Sequence, residues 1–211
     1  MQKTSRRAIM LTGAALALTA CNAGGAAGEM EDMTLGKADA KVKVIEYASL
    51  SCVHCMRFNN EVFPAFKAKY IDTGLVHYTF REFLTPPVEV AAAGVLLARC
   101  AGKDKYFAVV DQIYRSLESM AQTNDYRGGL LRVAQGAGMT EAQFNACVND
   151  EKALEALNQR VERWSTQEKI SATPTFVIGD TKIEGEAPIE RIDAALAPLL
   201  KNAPKAGAKA G

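Results

Sequence analysis

Two cysteines separated by two residues, Cys52-Val53-His54-Cys55, lie where an apolar run gives way to a helical pattern. The stretch 42–55 reads VKVIEYASLSCVHC: a short β-type run, a turn of small residues, then the cysteine pair. At a helix N-terminus the first cysteine meets backbone N–H groups without intrahelical partners, and a dipole that favours negative charge. Its thiolate is then stabilised, and the thiolate is the species that attacks disulfides. A positive His54 in the first turn adds to that stabilisation. Deprotonating Cys52 becomes easier, and so does expelling it as a leaving group. Cys52–Cys55 is therefore read as a redox-active disulfide.

Such a pair can also be half of a structural zinc site. Zinc takes four ligands, and the sequence has no second Cys-x-x-Cys. The other histidine, His77, belongs to no His-x3-5-His pair and reads as a half-buried structural residue. A redox dithiol is the better reading. A Cu(I) site through Cys52 and Cys55 is a further alternative, because thiolates suit soft metals, with Met56 and His54 the extra donors at hand. No cofactor and no metal is called for.

The elements that must position the pair follow from periodicity. Residues 42–47 read as a buried strand, with Glu46 the exception inside it, six residues before Cys52. Glu46 is either a carboxyl beneath the dithiol, its pKa raised by burial and able to exchange a proton with Cys55, or an edge acid facing water. Residues 55–70 repeat apolar side chains at helical spacing, with a kink expected at Pro64. Residues 75–83 alternate as a second strand. From 88 to about 169 the pattern is helical, and Thr140 with Gln143 fits a capping box. Two glycines, Gly128 and Gly129, weaken one of those helices. Residues 172–178 return to β, with Pro174 at the entrance as an edge residue or a cis peptide. A Gly179-Asp180 turn, the run 182–185 and an amphipathic helix over 188–200 follow.

Composition sets the compartment. The 211 residues are about half apolar, enough for one substantial core. The formal charge is +1, and the first twenty residues hold Lys3, Arg6 and Arg7 without an acid, so the remainder stands at +1 − 3 = −2. That balance gives no reason to expect nucleic acid as a partner. A basic start and the apolar run 8–20 read as a signal peptide over 1–20, too short to span a bilayer. It ends at Leu18-Thr19-Ala20-Cys21, which resembles a lipoprotein signal with Cys21 lipidated; an ordinary cleavable signal and a twin-arginine signal at Arg6-Arg7 are the alternatives. Residues 21–34 read as a flexible tether and 202–211 as a disordered tail. With Cys21 set aside, four cysteines remain. Of the three pairings, 52–55 with a structural 100–147 disulfide is the simplest for an exported protein.

The order of these elements resembles the thioredoxin fold. More narrowly it is similar to the DsbA-like exported thiol-disulfide oxidoreductases. The resemblance is carried by VIEYASLSCVHC (44–55), FREFLTP (80–86), CAGKDKYFAVVDQIY (100–114), GMTEAQFNACV (138–148) and TPTFVIGDTKIEGE (173–186). It implies an α/β chain in which residues 35–86 and 170–201 form a thioredoxin-like domain and 87–169 an inserted helical subdomain. It also implies roles: Cys52 as nucleophile, Cys55 as resolving cysteine, His54 as stabiliser of the thiolate and Glu46 as the buried acid. Pro174 matches the family's cis-proline, and Thr173 precedes it, where main chain can pair with an extended substrate. The implied protein is a periplasmic dithiol oxidase acting on exported proteins with free thiols or disulfides. A membrane DsbB-like partner reoxidises it. Val53, where such oxidases carry proline, and Thr173, as in isomerases and reductases, leave the direction of exchange open. Residues 2–33 offer no evident dimerisation segment, so a monomer is expected.

Overall fold

The computed structural model describes residues 30–201. The readings made for the signal, Cys21, most of the tether and the tail lie outside the described residues. Strands β1 (Met33–Leu35), β2 (Val42–Ala48) and β3 (Val76–Glu82) precede a helical block, and β4 (Thr175–Ile178) and β5 (Thr181–Glu184) follow it. One five-stranded sheet results, in the order β1-β3-β2-β4-β5. β2 and β3 run parallel, Val42 opposite Val76, while β4 lies antiparallel on the other side of β2. β4 and β5 join through a tight turn at Gly179, whose φ of 56° suits a residue without a Cβ. The central strand β2 alternates only at its start. Its last three residues are all buried, as expected of a strand covered on both faces.

Between β2 and β3 the chain is helical from Val53 to Ile71 but not uniformly so. α1 (Val53–Arg57) passes into a π-helical turn (Phe58–Val62), then α2 (Phe63–Phe66), then a second π-helical turn (Lys67–Ile71). The kink expected at Pro64 is taken up in this way. Proline cannot donate to the residue four back and its ring crowds that carbonyl, and a wider turn just before it relieves both. The Phe63 N–H accordingly reaches back five residues to Phe58 O. Phe58 packs on Phe176 of β4, ring centroids 4.6 Å apart, which fixes this segment over the sheet.

The helical block holds α3 (Val88–Cys100), α4 (Lys103–Thr123), α5 (Tyr126–Gly136), α6 (Glu141–Val148) and α7 (Glu151–Thr166). α8 (Ile189–Lys201) closes the described chain. α6 opens with the expected capping box between Thr140 and Gln143. Cys100 at the end of α3 is bonded to Cys147 in α6, S–S 2.01 Å. The fold is mixed α/β, a thioredoxin-type sheet with helices inserted between β3 and β4.

The tether reading of 21–34 is corrected at its end. Met33 and Thr34 belong to β1, antiparallel to β3 with Met33 opposite Phe80, and Met33 is buried. Asp32 pairs with Arg81 at 3.1 Å and with Arg160 at 2.7 Å. A free edge of β3 and two nearly buried cations recruit residues whose local composition gives no sign of it.

Candidate active site

Cys52 is the N-cap of α1, and its sulfur accepts from the Cys55 backbone N–H at 3.4 Å. The chain reaches that position from β2 through Ser49-Leu50-Ser51, a turn held from outside. Ser51 Oγ donates to Thr85 O at 2.8 Å, the Thr85 N–H donates to Ser49 Oγ at 3.2 Å, and Tyr114 OH donates to Ser49 O at 3.2 Å. These bonds join the turn to the loop after β3 and to α4. The Cys52 thiol lies 3.4 Å from Thr173 O and donates to it. Thr173–Pro174 is a cis peptide, and Pro174 O accepts from the Gly185 N–H at 2.8 Å. Chain ends 121 residues apart are thereby brought together on one sulfur.

The two thiols of the pair sit in opposite environments. Cys52 is part-exposed and its pKa is lowered to about 5, first by the hydrogen bond from the Cys55 side chain. Partial burial opposes this, and a hydrogen bond with the Thr173 side chain and the backbone N–H groups of Cys55 and His54 add to it. Cys55 is fully buried, and burial foremost, then the hydrogen bond and charge of Cys52, push its thiol well above the usual range. Both are present as thiols. One sulfur ionises readily, and its partner keeps its proton.

Glu46 is the buried acid rather than the edge acid. It is 2% exposed, in the middle of β2, opposite Phe80 on one side and Phe176 on the other. Tyr78 OH donates to its Oε2 at 2.6 Å. Burial raises its pKa to about 8, the Tyr78 hydrogen bond opposes that rise, and negative charge on Cys52 adds to it. A cavity of about 300 Å³ between the π-helical segment and α4 reaches Glu46, with Tyr78 and Tyr114 inside and Asn59, Lys67 and Asp111 among its polar lining. His54 lies at the rim of the site. Its imidazole is exposed and donates through Nδ1 to Glu186 Oε1 at 2.6 Å, while its backbone N–H supports the Cys52 sulfur.

The site thus gathers Cys52, Cys55, Glu46, Thr173 and Pro174, with His54 at its rim. Sequence reasoning missed Ser49, Ser51, Thr85, Tyr78, Tyr114 and Glu186. Two serines flanking one residue just before the cysteine pair were a usable signal, since small hydroxyls can hold a turn. Tyr78 and Glu186 carry no local signal, because their partners lie 32 and 132 residues away. Among the described residues no cluster of three or more His, Cys, Asp or Glu is arranged to hold a metal ion.

A family model described as Thioredoxin matches residues 29–197. The chain belongs to the thioredoxin family. Within it, a Rickettsia bellii protein named "Putative protein-disulfide oxidoreductase" is 33% identical over 166 residues, which is 78% of this chain and 63% of that protein. The chain therefore spans less than two thirds of that relative's length. Disulfide bond formation protein D of Bacillus subtilis is 24% identical over 174 residues, covering 79% of this chain and 76% of that one. Among solved family structures, Wolbachia pipientis alpha-DsbA1 superposes with a TM-score of 0.74 at 29% identity, over 81% of this chain and 92% of that chain. No helix among the described residues is long and apolar enough to cross a bilayer.

Proposed function

We propose that this protein is a periplasmic thiol-disulfide oxidoreductase working as a dithiol oxidase on exported proteins. The observation that carries the reading is the Cys52 sulfur, set among N–H donors at a helix start and against the cis Thr173–Pro174 peptide, above a fully buried Cys55. In the oxidised protein a substrate thiolate attacks Cys52 Sγ. The Cys52–Cys55 bond breaks, and its electron pair leaves on Cys55, which takes a proton from Glu46. A second substrate thiolate then attacks the substrate sulfur of the mixed disulfide and releases Cys52 as a thiolate. The substrate loses two electrons and the protein gains them.

Energetics support that direction. An acidic Cys52 stabilises the dithiol state at neutral pH. Allowing for solvent screening of a part-exposed sulfur, the gain is on the order of 2 kcal/mol, or about 40 mV toward an oxidant. Glu46 is protonated near neutral pH, so it has a proton to give. The Thr173 backbone next to Pro174 lies against the Cys52 sulfur, where an extended client could pair with it. The same reading includes a DsbB-like membrane partner as reoxidant and export of the chain, with Cys21 as a lipid anchor; the Cys100–Cys147 bond suits an oxidising compartment.

A second reading, a disulfide isomerase or reductase with the same dithiol, is favoured by Thr173 in place of valine before the cis-proline. Equilibration with glutathione buffers separates the two. An oxidase has a 52–55 couple less reducing than glutathione and stays largely reduced in a balanced buffer. A couple near that of thioredoxin, about −270 mV, rejects the oxidase in favour of a reductase.

A further inference from the structure

The exposed rim of the site carries a contact that the exchange steps above do not use. His54 Nδ1–H donates to Glu186 Oε1 at 2.6 Å, and Arg57 Nη1 donates to the same oxygen at 2.9 Å. His54 and Arg57 are three residues apart and share one face of α1. Glu186 directly follows Gly185, the residue whose N–H is held by Pro174 O at 2.8 Å. A single carboxylate thus bridges the helix that carries Cys52 and the loop that pairs with the cis-proline. These are the two walls between which a client disulfide must fit.

We propose that Glu186 is a positioning residue for the dithiol: its carboxylate captures the His54 imidazole, withholds that positive charge from the Cys52 sulfur, and sets α1 against the proline loop. The inference rests on the oxidoreductase reading and specifies how its nucleophile is tuned. The three side chains are each about half exposed, so the cluster adds little to folding stability. Aiming a charge is a separate effect, and it acts on the sulfur whatever the cluster does for the fold. The leading causes of Cys52 acidity agree with it, since they are hydrogen bonds from Cys55, Thr173 and backbone N–H groups.

The other charged groups around Glu186 fix the sign. Arg57 and His54 face it from α1. Glu61 lines the same shallow pocket from the first π-helical turn, and the Arg191 guanidinium of α8 reaches the Glu186 carbonyl oxygen at 3.5 Å. Removing the Glu186 charge leaves three cations against Glu61. The rim becomes more positive.

The test is the Cys52 pKa, read from ultraviolet thiolate absorbance in the full chain, for the wild type, Glu186→Gln, His54→Ala and the double variant. Glu186→Gln is expected to lower the Cys52 pKa by about half a unit and to make the 52–55 couple more oxidising against glutathione. His54→Ala is expected to raise the Cys52 pKa more in the Glu186→Gln background than in the wild type. Glu186→Ala, which also removes the acceptor, should shift the pKa in the same direction as Glu186→Gln. An acidic wild-type Cys52 that none of the Glu186 variants moves, or a His54→Ala effect equal in both backgrounds, overturns the inference and leaves the oxidoreductase reading standing. A wild-type Cys52 that ionises like ordinary cysteine removes both.

Discussion

Glu46 and Glu82 are two acids sealed in adjacent strands, 2% and 0% exposed, with opposite surroundings. Glu82, at the end of β3, receives Arg99 at 2.5 Å, Arg160 at 3.5 Å and the Tyr106 hydroxyl at 2.9 Å. Glu46, in β2, has one hydrogen-bond donor among the described residues, the phenol of Tyr78. Burial alone therefore does not decide what an acid does. Two guanidiniums pair with Glu82 and tie β3 to α3 and α7. Without a cation, Glu46 holds a proton until about pH 8 and can release it. On the proposed function, the acid without a cation is a proton donor beneath the dithiol, while the acid with two guanidiniums is a fastener.

The largest effect expected from this contrast is at the fastener. Glu82→Gln leaves Arg99 and Arg160 facing a neutral amide in a buried site, and a loss of about 4 kcal/mol in denaturant unfolding is expected. A loss under 1 kcal/mol would mean that the arginines find other partners, and the contrast would weaken.

Glu46→Gln should act with the opposite sign and depend on pH. The folded carboxyl titrates near 8 and the unfolded one at 4.5. The penalty for ionising it thus grows as pH rises from the lower value and is complete above the higher one. At pH 9 the variant should be about 3 kcal/mol more stable than the wild type, and at pH 4 the two should coincide. The same change should slow reduction of the 52–55 disulfide about tenfold, because Cys55 loses its proton donor. A stability difference flat with pH would contradict the assignment.

A smaller change sharpens the comparison further. Tyr78→Phe removes the one donor that favours the Glu46 carboxylate, so its titration should move further upward, with a stability cost of about 1 kcal/mol. The carboxyl infrared band followed against pH reports this directly, and a downward move would assign the wrong partner.

Much of the fold was legible because periodicity marks long elements well. The alternation in 75–83 corresponds to β3, and the helical pattern from 88 onward to α3 through α7. Short or non-local features were not. β1 is three residues long, too few for a period, and owes its existence to the open edge of β3. The helix expected to reach 169 ends at Thr166, where Lys169 turns to a φ of 53° and the Ile170 N–H returns to Trp164 O. Gly128-Gly129 read as a weak point in α5. Instead a Cβ on Gly129 would fall 2.2 Å from Met120 Cγ, so that glycine lets α5 close on α4.

The site divides along the same line. Cys52 and Cys55 are separated by only two residues, and the chemistry of the pair could be read from that spacing. Glu46 could be located but not oriented, because a lone acid in an apolar strand fits either face until both neighbouring strands are placed. His54 could be located, and its direction could not be foreseen, because Glu186 comes to it from beyond β5.

The central claim is that the chain makes the Cys52 sulfur unusually easy to ionise. Titrating its thiolate absorbance, with Cys52→Ser as the blank, tests this most directly. A midpoint at about 5 is predicted, with Cys55 still protonated well into the alkaline range. A midpoint near the value of free cysteine, about 8.5, would contradict the account.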